Sequence, residues 1–319
     1  MQTTSTSLAF LALFTLAASG CAAPQADESA TAKETAEDPL IGGMSGYLYP
    51  KFAKDTGMLL IRGGCTATRV GPRQILTAAH CVMRSHVGDF LSITQSVDDA
   101  NADWSTISIG RLWVHPSWTA VDLLCGPSLK CSRDYGASDV AVIETKNDMP
   151  STISSARVGT FRYEAAGHAR RVYVTGYGCE AWGWGGAPET RSIGFSIAPI
   201  EPVSSINNYG PVLTGAQFGP FDGSYLLTPG LSHPNGNASL CPGDSGGPVF
   251  LSRSAYPGGP ASPTNIVIGV NADYTFPANS GISTFNIHTR LSNDAPNFVG
   301  RWLQLVLPES SFLKTMDPG

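Results

Sequence analysis

The chain has 319 residues, 42% of them apolar and only 14% charged, with 35 glycines and 23 prolines. So many turn formers and so few charges argue against a helical, charge-coated protein and for a β-rich fold large enough to bury a substantial core. A formal net charge of −5 gives no electrostatic case for nucleic-acid binding, and no run after residue 20 is long and apolar enough to cross a bilayer as a helix.

Residues 8–18 form an apolar stretch too short to span a membrane, followed by small residues and Cys21, the pattern of an export signal. Ala18-Ser19-Gly20-Cys21 resembles a bacterial lipoprotein cleavage box, in which Cys21 becomes the lipidated first residue. Ordinary secretory cleavage near Ala22 or Ala23 is the alternative. Residues 22–39 are rich in Ala, Thr, Glu and Asp and hold no aromatic or β-branched aliphatic side chain. Such a segment buries too little to offset its ordering entropy and is expected to be a tether or pro-segment. Beyond it, apolar or alternating runs predict strands at 58–61, 106–114, 140–143, 171–174, 191–197, 248–251, 266–270 and 282–289. A helix is expected over 298–307, with Phe298, Trp302 and Leu305 on one apolar face and Val306 at its edge. Residues 308–319 are expected as a tail.

Three segments carry the chemistry. Gln74-Ile75-Leu76 reads as a strand end leading into Thr77-Ala78-Ala79-His80-Cys81. Asp139 opens the apolar run Val140-Ala141-Val142-Ile143, whereas the nearby Asp134 is followed by no such run. The third is Cys241-Pro242-Gly243-Asp244-Ser245-Gly246-Gly247-Pro248-Val249. Alone it could be a turn between strands. A serine hydroxyl becomes a useful nucleophile only with a base beside it and a cradle for the oxyanion it creates. Ser245 offers both its Oγ and its N–H, Gly243 can turn its N–H toward a carbonyl oxygen, and Gly246 and Gly247 leave room for a substrate chain. Seven cysteines in an exported chain suit an oxidising compartment and leave one over, which a lipidated Cys21 would account for. No Cys-x-x-Cys spacing occurs, so a metal site is not expected, and no cofactor is implied.

The Ala-Ala-His-Cys and Gly-Asp-Ser-Gly-Gly segments, with an aspartate-led strand between them, resemble the trypsin/chymotrypsin-like serine peptidases. The order His, Asp, Ser is that of this family rather than of subtilisins or α/β-hydrolases. The resemblance spans about residues 40–307. It implies an all-β fold of two packed six-stranded Greek-key barrels with a C-terminal helix, and an endopeptidase acting on proteins or peptides as a monomer. It implies His80 as general base and acid, Asp139 as its orienter, Ser245 as nucleophile, and the Gly243 and Ser245 amides as the oxyanion hole. Leu40-Ile41-Gly42-Gly43 resembles the start of an activated family member, so proteolysis near Leu40 or Ile41 would free an amine to pair with Asp244. Cys65 and Cys81 resemble the family's bridge beneath the catalytic histidine. Cys125 and Cys131 are expected to pair locally within an insertion. Val174-Thr175-Gly176-Tyr177-Gly178 resembles a family segment that lies against the nucleophile loop, which implies Cys179–Cys241 as the third pair. Ser239 falls at the floor of the specificity pocket, where a fixed negative charge for Lys or Arg is therefore missing. Asn286 falls at the pocket wall, either narrowing it or presenting an amide. Ala272 falls on the strand that pairs with substrate, with Asp273 beside it able to attract basic residues. His115 reads as structural, and His86, His168, His233 and His288 as surface or packing residues. A protease-like binding or adhesion module that keeps the fold without turnover is the competing reading.

Overall fold

A computed structural model describes residues 44–45, 51–96, 102–125, 136–160, 171–178, 194–199, 224–233, 236, 238–254, 261–275, 285–295 and 297–313. Strand β1 (Met44–Ser45) and the short helix α1 (Phe52–Thr56) precede β2 (Met58–Ile61), β3 (Cys65–Arg69), β4 (Gln74–Thr77), β5 (Phe90–Thr94) and β6 (Ser105–Val114). Helix α2 (Pro116–Cys125) then leads to β7 (Ala141–Thr145), and β2-β3-β4-β7-β6-β5 close into an antiparallel barrel. The second half contains β8 (Arg157–Val158), β9 (Arg171–Gly176), β10 (Gly194–Pro199), β11 (Tyr225–Pro229), β12 (Pro248–Ser254), β13 (Ala261–Thr275) and β14 (Phe285–Arg290), followed by helix α3 (Val299–Val306). Its strands run β1-β10-β9-β12-β13-β14-β11, with β8 parallel to β13. This is the expected all-β chymotrypsin-type architecture, with one difference among the described residues. The first barrel closes on six strands, whereas the second half is a curled eight-stranded sheet enlarged by β1 and β8.

The strands are apolar on both faces because both faces are buried. Leu59, Ile75, Ala141 and Ile143 point into the first barrel, while their chain neighbours Met58, Leu60, Leu76 and Val142 join a core shared with the second half. The second half alternates in the same way. Val172, Val174, Val249, Leu251, Ile266 and Ile268 pack on one side, and Tyr173, Phe250 and Val267 enter the shared core on the other. A side-chain period of two places successive residues in different cores, which is why these segments read as continuous apolar runs rather than as alternations.

Several expectations are corrected. Elements β1, α1, β3, β5, β8, β11 and α2 were not anticipated, being too short or too mixed in composition to stand out. The last helix begins at Val299, because Phe298 before it is left-handed with φ 56°. Its buried face is Val299 and Leu303, continued by Leu307, while Leu305 is 85% and Phe298 56% exposed. Trp302 and Val306, both expected on the apolar side, do pack partly buried against the same core, so the correction falls on Phe298 and Leu305. The expected tail is partly built in: Phe312 bridges Val158, the Leu313 N–H donates to the Val158 carbonyl at 3.1 Å, and Ser311 is buried.

Candidate active site

His80 lies on a single 3₁₀ turn, Ala79–Cys81, that follows β4 directly. The Cys65–Cys81 disulfide ties this turn to the start of β3. Asp139 stands just before β7, the strand paired with β4, so the sheet register itself brings the two together. Asp139 is 2% exposed, and burial of a carboxylate is tolerable only with strong donors. His80 supplies two: its backbone N–H donates to Oδ1 at 3.0 Å and its ring Nδ1 to Oδ2 at 2.6 Å. The second half of the molecule grips the same residue, since Thr289 Oγ1 donates to the Asp139 carbonyl at 3.0 Å. With the proton held on Nδ1, Nε2 of His80 is an acceptor. Burial alone would lower the His80 pKa, but the Asp139 charge and hydrogen bond, helped by the field of Asp273, outweigh it and hold the pKa above its ordinary value.

Ser245 reaches this turn through its backbone. The Thr66 N–H donates to the Ser245 carbonyl at 2.8 Å, and Cys81 Sγ lies 3.7 Å from the same oxygen. Gly246, at φ 82°, has no room for a Cβ, which would overlap the Thr66 carbonyl and Thr77 Oγ1. The Gly243 carbonyl accepts from Thr66 Oγ1 at 2.7 Å. The N–H groups of Gly243 and Ser245 donate to no group among the described residues. Two amides beside a serine, with their carbonyls tied down and their N–H groups uncommitted, suit a developing oxyanion.

Asp244 is fully buried, and its Oδ2 accepts the Cys241 N–H at 2.8 Å. Gly176 and Gly178 make room for this carboxylate, because a Cβ on either would overlap it. Segment 174–178 thus lies against the loop that carries Ser245. Thr66 Oγ1 joins the two, accepting from the Tyr177 N–H at 2.8 Å while donating to Gly243. Ser239 is buried, and its hydroxyl accepts the Leu231 N–H at 2.9 Å. The Asn286 side chain bridges to backbone, accepting from the Leu240 N–H at 2.8 Å and donating to the Ala238 carbonyl at 3.1 Å. Ala272 lines a small open cleft together with Trp118, Tyr225, Asp139 and Asp273. Trp118 belongs to the unanticipated α2, and its ring centroid lies 6.4 Å from that of His80.

Cys241 is disulfide-bonded, but its expected partner Cys179 lies outside the described residues, as do Cys21, Leu40, Ile41, Cys131 and His168. Cys125 ends α2, and its pairing also lies outside them. Thr66 was missed by sequence reasoning: nothing in the sequence separates it from a solvent-facing threonine, and Thr66 to Arg69 are all buried with no alternation. His115 is buried against Trp302 with its Nδ1 2.8 Å from Ser117 Oγ, and desolvation lowers its pKa to about 4. Among the described residues, the only His/Cys/Asp/Glu group close enough to hold a metal is Cys65, His80 and Cys81. Two of those three are joined in the disulfide, so the group offers no thiolate.

The model of a family described as Trypsin matches residues 52–292, an interval that contains all three chemical segments. The chain is also similar to a protein named Trypsin from Saccharopolyspora erythraea. The two are 23% identical over 191 residues, covering 59% of this chain and 71% of that protein.

Proposed function

The chain belongs to the trypsin family and is a serine endopeptidase acting on protein or peptide substrates, and we propose that it does so through His80, Asp139 and Ser245. The observation that carries this reading is the buried Asp139 carboxylate engaged by two donors of His80, on a turn whose Cys81 touches Ser245. In this mechanism Nε2 of His80 takes the Ser245 hydroxyl proton as Oγ bonds to the scissile carbonyl carbon. The carbonyl electron pair moves onto oxygen, where the Gly243 and Ser245 N–H groups receive it. Asp139 stabilises the imidazolium, which then protonates the leaving amine as the C–N bond breaks. Water attacks the acyl-enzyme with the same base, and Ser245 recovers its proton.

The uncharged Ser239, with its hydroxyl occupied by Leu231, supports a preference for neutral rather than Lys or Arg side chains, since a buried substrate cation would find no counter-charge there. We assign activation to cleavage near Leu40 or Ile41, with the freed amine pairing with Asp244. The complete burial of that carboxylate supports this, because a buried charge is strongly favoured to find an opposite one. The leader of residues 1–20 supports export from a bacterial cell, with lipid anchoring at Cys21 or release, and the enzyme acts as a monomer. An organophosphate serine reagent tests the reading. The processed protein is expected to be labelled stoichiometrically at Ser245, and Ser245→Ala to be unlabelled and inactive on a general peptide substrate. A Ser245→Ala protein that still cleaved, or processed wild type that stayed inert, would overturn it, the latter in favour of a binding module.

A further inference from the structure

Four polar side chains outside the reacting groups are buried together on one face of the second sheet: Thr228 on β11, Asn271 on β13, and Asn286 and His288 on β14. The register explains the cluster. Thr228 stands opposite Asn286, Asn271 stands opposite His288, and residues two apart on β14 share a face.

Their hydrogen bonds fix the direction of every donor. Asn286 Oδ1 accepts the Leu240 N–H, so its Nδ2 is the atom facing the Ala238 carbonyl at 3.1 Å and Thr228 Oγ1 at 3.2 Å. Thr228, accepting from Asn286, has its single hydroxyl proton left for His288 Nε2 at 2.9 Å. His288 therefore carries its proton on Nδ1 and donates to Asn271 Oδ1 at 2.8 Å. Asn271 Nδ2 donates onward to the Thr175 carbonyl at 2.8 Å and the Asp244 carbonyl at 3.0 Å. The Asn271 backbone clasps the same loop, exchanging bonds of 2.8 Å with the Gly246 N–H and the Gly247 carbonyl. One donor from each of the four side chains thus points along the chain toward the loop that carries Ser245, while the Asn286 amide also donates back to the Ala238 carbonyl.

We propose that His288 is a positioning residue for Ser245: as the imidazole link of this chain it holds Asn271, and through Asn271 the Asp244 carbonyl, so that the Gly243 and Ser245 N–H groups stay aimed at one point. The inference rests on the reading of Ser245 as nucleophile. An apolar side chain of similar size would fill the space but leave the Thr228 hydroxyl and Asn271 Oδ1 without partners in a closed interior. Complete burial depresses the His288 pKa to about 3, so the imidazole stays in the neutral form that can donate at one nitrogen and accept at the other.

The two nitrogens can be tested separately. His288→Asn keeps a donor near the Nδ1 position, toward Asn271. His288→Gln keeps an acceptor near Nε2, toward Thr228, and loses that donor. His288→Gln is expected to lower kcat at least about tenfold with KM within about threefold, because small misplacements of the reacting groups are costly. His288→Asn is expected to recover most of that loss. Equal kcat losses in both variants, a change in KM alone, or an unchanged kcat in His288→Gln would overturn the proposal. Should neither variant fold, Thr228→Val keeps the shape and removes the donor that sets the His288 tautomer. It is expected to reduce kcat several-fold at constant KM, and an unchanged kcat would overturn the proposal. Organophosphate labelling of the wild type keeps the two readings apart. An unlabelled wild type removes the nucleophile assignment and the relay with it, whereas a labelled wild type with unimpaired variants removes the relay alone.

Discussion

His80 and Asp139 stand at the rim of a barrel whose interior is apolar, filled by Leu59, Ile61, Ile75, Ile93, Ile109 and Ile143. Ser245 hangs from a sheet whose inner face changes character along its length. One end is the Val172, Val174, Val249 and Leu251 cluster, and the other is the Thr228, Asn271, Asn286 and His288 chain. The difference follows from what each half must hold. The histidine and aspartate bond directly to each other, so the barrel need only keep β4 and β7 in register, and non-directional packing suffices. The loop that carries Ser245 has no regular structure, and its Gly243 and Ser245 N–H groups donate to no group among the described residues. Its carbonyls are tied individually: Gly243 by the Thr66 hydroxyl, Asp244 by the Asn271 amide and the Gly247 N–H, and Ser245 by the Thr66 N–H. Apolar packing fixes the spacing of elements, and hydrogen bonds fix the direction of single peptide groups.

The largest effect is expected at the direct contact between His80 and Asp139 that the barrel serves. Asp139→Asn should lower kcat on the order of 10⁴-fold, because an amide cannot hold the imidazole in the required tautomer or stabilise its protonated form. The pH dependence carries a second signature. With the His80 pKa held above its ordinary value, wild-type activity should rise with pH through a midpoint above about 6.5. Stability should move the other way. The raised pKa stabilises the fold fully below the unfolded value near 6.5, and that contribution is lost as pH climbs through the folded pKa. His115 and His288, lowered to about 4 and about 3 by burial, have the opposite sign and should destabilise the fold as pH falls from about 6.5. Urea midpoints measured from acid to alkaline pH should therefore peak near neutrality. Asp139→Asn should flatten the alkaline limb while leaving the acid limb in place. An unchanged alkaline limb would remove Asp139 as the source of the His80 shift.

Next in size is the barrel interior. Leu59 is completely buried there, and Leu59→Ala should cost about 2–5 kcal/mol of stability while kcat per titrated active site stays within twofold. The relay variants are expected to do the reverse, lowering kcat in protein that remains folded. Chemical denaturation paired with active-site titration separates the two. If Leu59→Ala lowered kcat as strongly as His288→Gln, the division between spacing and direction would fail.

The same division governs what the sequence makes legible. His80, Asp139 and Ser245 stand out because each carries its chemistry among immediate chain neighbours, and the apolar strands stand out because one short run fills two cores. β3 does not, since its buried positions include Thr66 and Thr68, and a threonine serving as a hydrogen-bond hub looks like one facing solvent. β11 does not either, because its apolar run is only Tyr225, Leu226 and Leu227 and it ends in a proline, which argues against a strand except at a sheet edge. Asn286 could be placed near the pocket by position, yet the turn of its amide toward Leu240 and Ala238 depends on the conformation of a segment over 40 residues away. His288 reads only as a surface or packing residue because its partners come from β11 and β13. Only strand register brings them together, and register is a property of the whole sheet.

The smallest expected effect lies at the far end of the β4–β7 pair. Arg73 Nη2 meets Glu144 Oε1 at 2.7 Å, with the two side chains 36% and 14% exposed. Arg73 also donates from Nε to the Thr145 carbonyl at 2.7 Å. Ion pairs of this exposure contribute about 0–1 kcal/mol, so Glu144→Gln should shift the urea midpoint only slightly, and concentrated salt should erase the difference by screening the wild-type pair. Gln74 is the β4 residue facing Glu144 across the ladder, and Thr77 faces Ala141 at the end nearer His80 and Asp139. Between the two ends, Ile75 and Leu76 are anchored in two different cores. Fraying at Glu144 should stop at that apolar anchor, leaving kcat and the pH midpoint of His80 unchanged. A shift in either would mean that strand-end charge, rather than core packing, sets the separation of His80 and Asp139.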